Sequence, residues 1–568
     1  MFIDFEGIDG SGKTTLSNLL AERLRRMGHR VTHAREGGEL KATIARRLRE
    51  LTRDPSLLEM CARTEFLLNV ARDAQQLEEV IRPALARGEV VIADRYLYSQ
   101  LAHSHAGRGL PREALDPVLE LAAQGVWPDL VILVDVDPEL ARLRKRVLRL
   151  GLDELEPGSR KGLVGAGLAV RVREAFLQMA SKDRQRWLVV ENDHQPLSAL
   201  ADRIVEAVRA RLEGREPEVQ RINAGSTQRP AVCLQNLEAT FFTAVDELEL
   251  REPDLALYLL TGVPGARAHQ RRLRFVDQKP GAVARTLLGL GDPESEQLRE
   301  LLAKAAPREV LASLGADPSL RAMALREALF EVAPRQAVIG LKGMDSDRAW
   351  ALRERAVRQG DVEGVLFGLS GVDSDRSWAL RTMALERRLW TALARSLTGV
   401  AGERADALRA ELVSRDRLAV LRSTTGLETP FARTLRESLY EMAPKVVLRS
   451  LTGIDAPWAW RMRAEQAPRT KEALDSVDGM SVPQAWALRE RFWYLWPSTA
   501  ISSLRELALT ARGQALIEQV LSHNPGRVAV LRNAYLALAR VGAMPETNAD
   551  GGPGPRAGAG PAAEAAAS

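Results

Sequence analysis

The sequence predicts two architectures in one chain of 568 residues: a helix-covered parallel β-sheet over 1–213 and an all-α helical-repeat solenoid over 235–542. Three observations predict this. Short β-branched runs alternate with longer helical stretches up to about residue 213, which implies parallel strands joined by right-handed crossovers. A glycine-marked unit then recurs every 26–28 residues, a period of about 27. Between the two lies a polar stretch, EGREPEVQRINAGSTQRP (213–230), which reads as the body of a linker over 214–234.

Five strands are expected: FIDF (2–5), VTHA (31–34), VVIAD (90–94), LVILVDV (130–136) and WLVVE (187–191). Segments between them, such as LSNLLAERLRRM and AQQLEEVIRPALA, place apolar residues three and four apart, the helical period.

Beyond the linker, LKGMDSDRAWALRERA (341–356) and LSGVDSDRSWALRTMA (369–384) are near copies, and looser copies flank them. The marker glycines are Gly262, Gly289, Gly315, Gly343, Gly371, Gly399, Gly426, Gly453 and Gly479, and eight of the nine have Arg ten residues on. Glycine supplies the left-handed stop of one short helix, an Asp or Ser caps the next, and an apolar stripe such as Ala349 and Leu352 follows. A unit this small cannot bury its own apolar face, so neighbours must stack. The result is similar in kind to HEAT-like solenoids, with a shorter unit. Trp350, Trp378, Trp458, Trp460 and Trp486 recur at one place and are expected to fill the core between repeats, and the recurring arginine to make a repeated structural contact. Solenoids present long concave surfaces, so a protein partner is an expectation of form alone. The low-complexity tail, 543–568, is expected to be disordered.

Composition excludes several classes. A net charge of +5 on this length argues against a nucleic-acid partner. Two cysteines, Cys61 and Cys233, make no disulfide framework and show no metal spacing. Asp4 and Glu6 interrupt the first apolar run, so it is not a signal peptide, and no stretch reaches the roughly 20 apolar residues of a membrane span. The expected location is cytoplasmic.

The chemistry sits near the start. GIDGSGKT (7–14) fits G-x-x-x-x-G-K-[ST] at every fixed position, follows a strand and precedes an amphipathic helix. This is a P-loop, so the sheet reads as an α/β P-loop NTPase. Gly7, Gly10 and Gly12 let successive N–H groups approach phosphate oxygens, and the helix behind adds its positive end. Gly7, Ile8, Asp9, Gly10, Ser11, Gly12, Lys13, Thr14 and Thr15 are therefore the candidate ATP contacts, with Lys13 at the β- and γ-phosphates. The Thr14 hydroxyl, with Asp94, is the candidate magnesium holder. A second constellation, ADRYLYSQLAHS (93–104), puts Asp94 and Arg95 at the carboxyl end of a buried strand, where ligands bind.

Together GIDGSGKTT, ADRYLYSQLAHS, VIRPALARGEVVI and PDLVILVDVDPELARLRKR resemble the thymidylate kinase family, in its order, over about residues 1–213. The resemblance implies phosphorylation of dTMP to dTDP with Mg·ATP, and a homodimer through this region. It implies that Asp9 lies near the acceptor's sugar and phosphate, that Arg95 grips the dTMP phosphate with help from Arg35, and that Ser99 and Gln100 meet the thymine edge. His103 holds an aromatic position of the family. Departures stand beside this. The proline of the family's REPGG is missing from AREGG (34–38). Asn69 and Asp73 replace its stacking Phe and base-reading Arg, with Arg72 one place away. Glu154 stands in place of its lid arginine, leaving Arg149, Arg146 and Arg160 as substitutes. Losing such an arginine costs about 10³ or more in rate. Two alternatives therefore stand beside the dTMP kinase: an ATP-binding scaffold with a drifted acceptor site, and a kinase for a different nucleotide.

Overall fold

The computed structural model describes residues 1–35, 42–54, 56–150, 165, 167–192, 196–215, 221–222 and 231–539. Glu154, Arg160 and the tail lie outside these residues.

The strands are β1 (Phe2–Glu6), β2 (Val31–His33), β3 (Val90–Asp94), β4 (Leu130–Asp135), β5 (Trp187–Glu191) and β6 (Arg221–Ile222). They pair in the order β2-β3-β1-β4-β5-β6, and every neighbouring pair is parallel. The expected five strands form the sheet, and a sixth is added inside the stretch read as linker. Ile222 is buried on the edge of β5, and Arg221 pairs with Glu191. Two residues carry no periodicity, so the sequence pattern cannot reveal such a strand.

The helices of this part are α1 (Lys13–Arg26), α2 (Thr43–Arg53), α3 (Ala62–Gln76), α4 (Arg82–Ala86), α5 (Leu97–Leu101), α6 (Arg112–Ala123), α7 (Pro138–Leu148), α8 (Gly167–Lys182) and α9 (Leu197–Leu212). Alternation along β1 divides the core. Ile3 and Phe5 pack under α1 and α9 with Leu16, Leu20, Ile204 and Val208. Phe2 faces the other layer, against Phe66 and Val70 of α3 and Leu115 of α6. Asp4 and Glu6 share the Phe2 face, so β1 carries buried carboxylates toward the α3 side.

From residue 237 onward the described chain is helical, beginning with α10 (Leu237–Glu249) and α11 (Pro253–Leu259). All nine marker glycines have φ between 55° and 80°, the left-handed stop the repeat requires. The recurring arginines are the distinctive feature. Arg272, Arg299, Arg326, Arg353, Arg381, Arg409, Arg436, Arg463 and Arg489 are all buried. Arg463 illustrates the geometry: it donates to the carbonyls of Leu451 (2.6 Å) and Ile454 (2.8 Å) in its own repeat and to Ser476 Oγ (2.9 Å) in the next. Each guanidinium thus satisfies orphan carbonyls at a helix end and meets the dipole's negative pole. Burial pulls Arg463 down to about 10, so it stays charged at neutral pH. In the slipped repeat Arg326 comes eleven residues after its glycine, and it still reaches the carbonyls of Gly315 and Asp317. The tryptophans lie over this ladder: Trp350 donates to Asp345 (2.6 Å) with the Arg353 guanidinium 4.8 Å from its ring centre.

The repeats close on themselves. One helix of each unit stacks on its counterpart in the next, from α11 to the helix Pro497–Ser502, and the final helix, Val528–Ala539, packs on both that helix and α10. Phe241 stacks on Tyr535 at 5.2 Å, and Arg532 donates to the carbonyls of Leu259 (2.8 Å) and Thr261 (2.6 Å). The helical part is a ring rather than an open superhelix. No described helix is long and apolar enough to cross a membrane.

Arg463→Met should strand two buried carbonyls at about 1–3 kcal/mol each, lowering the denaturant midpoint of the ring. Arg461→Met, exposed on the same helix, should leave that midpoint unchanged.

Candidate active site

The P-loop joins β1 to α1, and glycine is obligatory along it. A Cβ on Gly10 (φ +89°) would sit 2.4 Å from the Ala141 carbonyl oxygen, and one on Gly12 (φ +93°) 2.6 Å from Asn192 Nδ2. The loop therefore lies pressed between α7 and the end of β5. Lys13 Nζ donates to the Ile8 carbonyl at 2.9 Å and folds the loop around itself. Ser11 Oγ is buried and makes no hydrogen bond among the described residues. A cradle that only glycine fits, with a buried lysine and an orphan hydroxyl, suits phosphate oxygens.

The register Phe5↔Asp94 brings the ends of β1 and β3 together, so Glu6 and Arg95 emerge side by side. Arg95 takes a left-handed φ of 77°, a strained conformation for a side-chain-bearing residue, and is held there from several directions. Its N–H donates to the Phe5 carbonyl at 3.1 Å. Its guanidinium donates to Asp9 Oδ1 (2.6 Å) and Ser99 Oγ (2.9 Å) and lies 3.7 Å from Glu6 Oε2. Burial works against its charge, and Asp9, Glu6 and Asp94 more than offset that. Arg95 thus reaches the P-loop directly, and Lys145 of α7 approaches the other oxygen of Asp9 at 3.6 Å.

Thr14 Oγ1 donates to Asp94 Oδ2 at 2.6 Å, and Arg35 lies 3.6 Å from the same oxygen. Asp94 Oδ1 is buried without a hydrogen bond among the described residues. Burial pushes the Asp94 carboxyl up, and Lys13, Arg35, the Thr14 bond and Arg95 outweigh it, so it stays below the usual range. An ionised carboxylate with a spare oxygen beside a hydroxyl suits magnesium, which takes few protein ligands and keeps phosphate or water for the rest. Among the described residues no cluster of three or more His, Cys, Asp or Glu side chains could hold a metal alone.

On the other side, Gln100 donates to Asp73 Oδ2 (2.6 Å), and Arg72 forks onto Asp73 Oδ1 (2.8 and 2.6 Å) while reaching Asn69 Oδ1 (3.1 Å). Asp73 is therefore the hub that aims Arg72 and Gln100. His103 lies half-buried in the short π-helix Ala102–Gly107 that continues from α5. Arg149 is exposed at the end of α7, and Arg146 stacks on Tyr258 of the ring at 5.9 Å. Among the described contacts, Lys145 is the cation that α7 brings to the loop.

Sequence reasoning missed Arg49, Arg53, Lys145 and Asn192. Arg49 is pushed down to about 9, by burial first and then by Arg35, Arg53 and Arg72 around it. Five arginines, at 35, 49, 53, 72 and 95, thus share electrostatic surroundings with Asp9 and Asp94. The spacing of Arg49 and Arg53, one turn apart on α2, was a usable signal. Asn192 Nδ2 donates to the Ser11 carbonyl at 2.6 Å, and only the fold brings those residues together.

Comparison with known proteins bears on this geometry. The family model for thymidylate kinase matches residues 5–204. A thymidylate kinase of Pelobacter propionicus is 37% identical over 216 residues, spanning 37% of this chain and 93% of that protein. The chain belongs to the thymidylate kinase family. The thymidylate kinase of Desulforudis audaxviator is 40% identical over 222 residues (38% of this chain, 93% of that protein), and that of Deinococcus radiodurans 41% over 191 (34% and 88%). The helical ring lies outside the span that the thymidylate kinase model matches.

Two predictions follow from charge in the thymidylate kinase region. Lys13 is pulled down to about 8, by burial first and then by Arg95. Since the ammonium form holds phosphate, ATP affinity should fall as pH rises through about 8, by up to about tenfold per unit, in a titration of Kd against pH. Asp4 has both oxygens buried and without hydrogen bonds among the described residues, and burial, then Glu6, Asp73 and Asp94, push its carboxyl well above the usual range. The folded state therefore holds a proton that the unfolded chain releases, so stability falls as pH rises above the ordinary carboxylate range. Asp4→Val should raise the denaturation midpoint at neutral pH, and the gain should shrink toward pH 4.

Proposed function

We propose that residues 1–213 transfer the γ-phosphoryl group of ATP to dTMP, forming dTDP and ADP, and that residues 214–234 join this kinase to a helical-repeat module over 235–542. The observation that carries the reading is the bond from Arg95 to Asp9. It sets the guanidinium proposed for the acceptor phosphate against the loop proposed for the donor phosphates, in one cleft.

The chemistry asks for positioning and neutralisation. An oxygen of the acceptor phosphate attacks the γ-phosphorus, and the bond to the β–γ bridging oxygen breaks. In this reading the backbone N–H groups of 7–15 and Lys13 hold the donor and the departing charge. Arg95, with Arg35 and Arg49, holds the acceptor phosphate. Asp9 sets the position of Arg95, and Lys145 screens the negative charge that accumulates between the phosphates. Thr14 and Asp94 would hold magnesium, which supplies further neutralisation of phosphate oxygens when bound. Arg72, Gln100 and Ser99 would meet the base, their orientation fixed by Asp73 and Glu6. The absence of an aromatic at Asn69 leaves the base with less stacking surface than the family usually supplies, so other monophosphates belong in the assay.

Lys13→Ala should lower turnover of dTMP by about 10³ or more. Arg95→Ala should raise KM for dTMP far more than KM for ATP. ATP binding without turnover of dTMP or any other monophosphate would overturn the reading in favour of a scaffold, and preference for another monophosphate would reassign the acceptor.

A further inference from the structure

The ring is wired into the P-loop through one arginine. Arg144, on α7, spreads its guanidinium in two directions. Nε and Nη2 form a fork onto the carboxylate of Glu252, at 3.0 and 2.7 Å, between α10 and α11 of the ring. Nη1 donates at 2.9 Å to the backbone carbonyl of Asn192, the residue that follows β5. Asn192 in turn donates its side-chain amide to the Ser11 carbonyl, and its own N–H is held by Asp135 at 2.8 Å. The path from carboxylate to P-loop is continuous.

The last bond has a geometric consequence. A trans peptide is planar, with its carbonyl and N–H directed to opposite sides. Fixing the Ser11 carbonyl on Asn192 therefore fixes the Gly12 N–H in the opposite direction, away from Asn192. We propose that Glu252 of the ring is a positioning residue for the P-loop, acting through Arg144 and Asn192 to set the affinity of the site for ATP.

Three observations favour this over a passive surface pair. Arg144 is largely buried, 15% exposed, so its guanidinium cannot simply turn to water when the carboxylate is lost. The planar fork fixes orientation as well as charge, and the same group supplies the Asn192 contact. The anchor is also firm on the ring side. α7 meets the ring at Ser498, which donates to Glu139 at 2.6 Å, and at Arg527, 3.4 Å from Asp137. Both contacts lie in the last described part of the ring, and Glu252 lies in the first. The Glu252 side chain makes no helix-capping bond at the start of α11, so it can be altered without uncapping that helix.

This inference rests on the P-loop binding ATP and not on the identity of the acceptor. In the full-length protein, Glu252→Gln should weaken ATP binding about fivefold or more in direct titration without acceptor, measured well below the variant's own thermal midpoint so that the protein is folded. Where turnover is seen, KM for ATP should rise while kcat and KM for the monophosphate stay within about twofold. Arg144→Lys keeps the charge, loses the fork and should give the same loss. The double variant should be no worse than either single one, because both remove one path. An ATP Kd within twofold of wild type in a folded Glu252→Gln protein would overturn the proposal, as would additive losses in the double variant. If wild type binds ATP and no monophosphate is turned over, the proposed function fails while the Glu252 titration still decides this one.

Discussion

The ring depends on a buried guanidinium repeated nine times. A charge inside a protein core is costly unless its donors find acceptors; here most find carbonyls that helix ends leave over or a serine or threonine hydroxyl, while Arg326 Nε and Arg353 Nε make no hydrogen bond among the described residues. Arg463 and its counterparts solve two problems with one side chain: they satisfy the stop of one helix and fasten it to the next repeat. The described helices of the ring, four to thirteen residues long, have little stability of their own. They persist because each end is closed by a group that belongs to the core.

The closed ring gives α7 an unusual position. One side of this helix meets the P-loop, through Ala141 against Gly10 and Lys145 toward Asp9. Its other contacts enter the ring, through Glu139, Arg144 and Arg146. A second junction lies near α8, where Arg171 donates to the Arg469 carbonyl at 3.0 Å. α7 and α8 are thus both held by the helical part of the same chain. In phosphoryl transfer, where catalysis is mainly placement, the rigidity of such a support bears directly on rate.

Legibility in the sequence followed the range of the interaction. The P-loop was plain because glycine at 7, 10 and 12 is imposed by local backbone geometry and close approach. The five main strands were plain because buried parallel strands are continuous apolar runs. The repeat was plain because the same contact recurs at fixed spacing. Asn192 and Lys145 were not, since each is an ordinary polar residue whose role comes from a neighbour far along the chain. Ring closure was hidden for a related reason: the seam is built from α10 and the helices Ala511–His523 and Val528–Ala539, which lack the marker glycine and the buried arginine. The departures at Asn69 and Asp73 were legible as substitutions, yet their outcome, a carboxylate hub that aims Arg72 and Gln100, required coordinates.

An open array of repeats can gain or lose a unit at little cost, because each contacts only its neighbours. A closed one cannot. The bonds from Arg532 to Leu259 and Thr261 form only when the accumulated rotation of all the units brings the last helix back to the first. Deleting or duplicating a single unit would leave a gap or an overlap at that join, beside the very helix that backs the phosphate loop. The copy number of this array is therefore fixed by geometry, and drift in length is barred to it in a way that it is not to linear relatives in form.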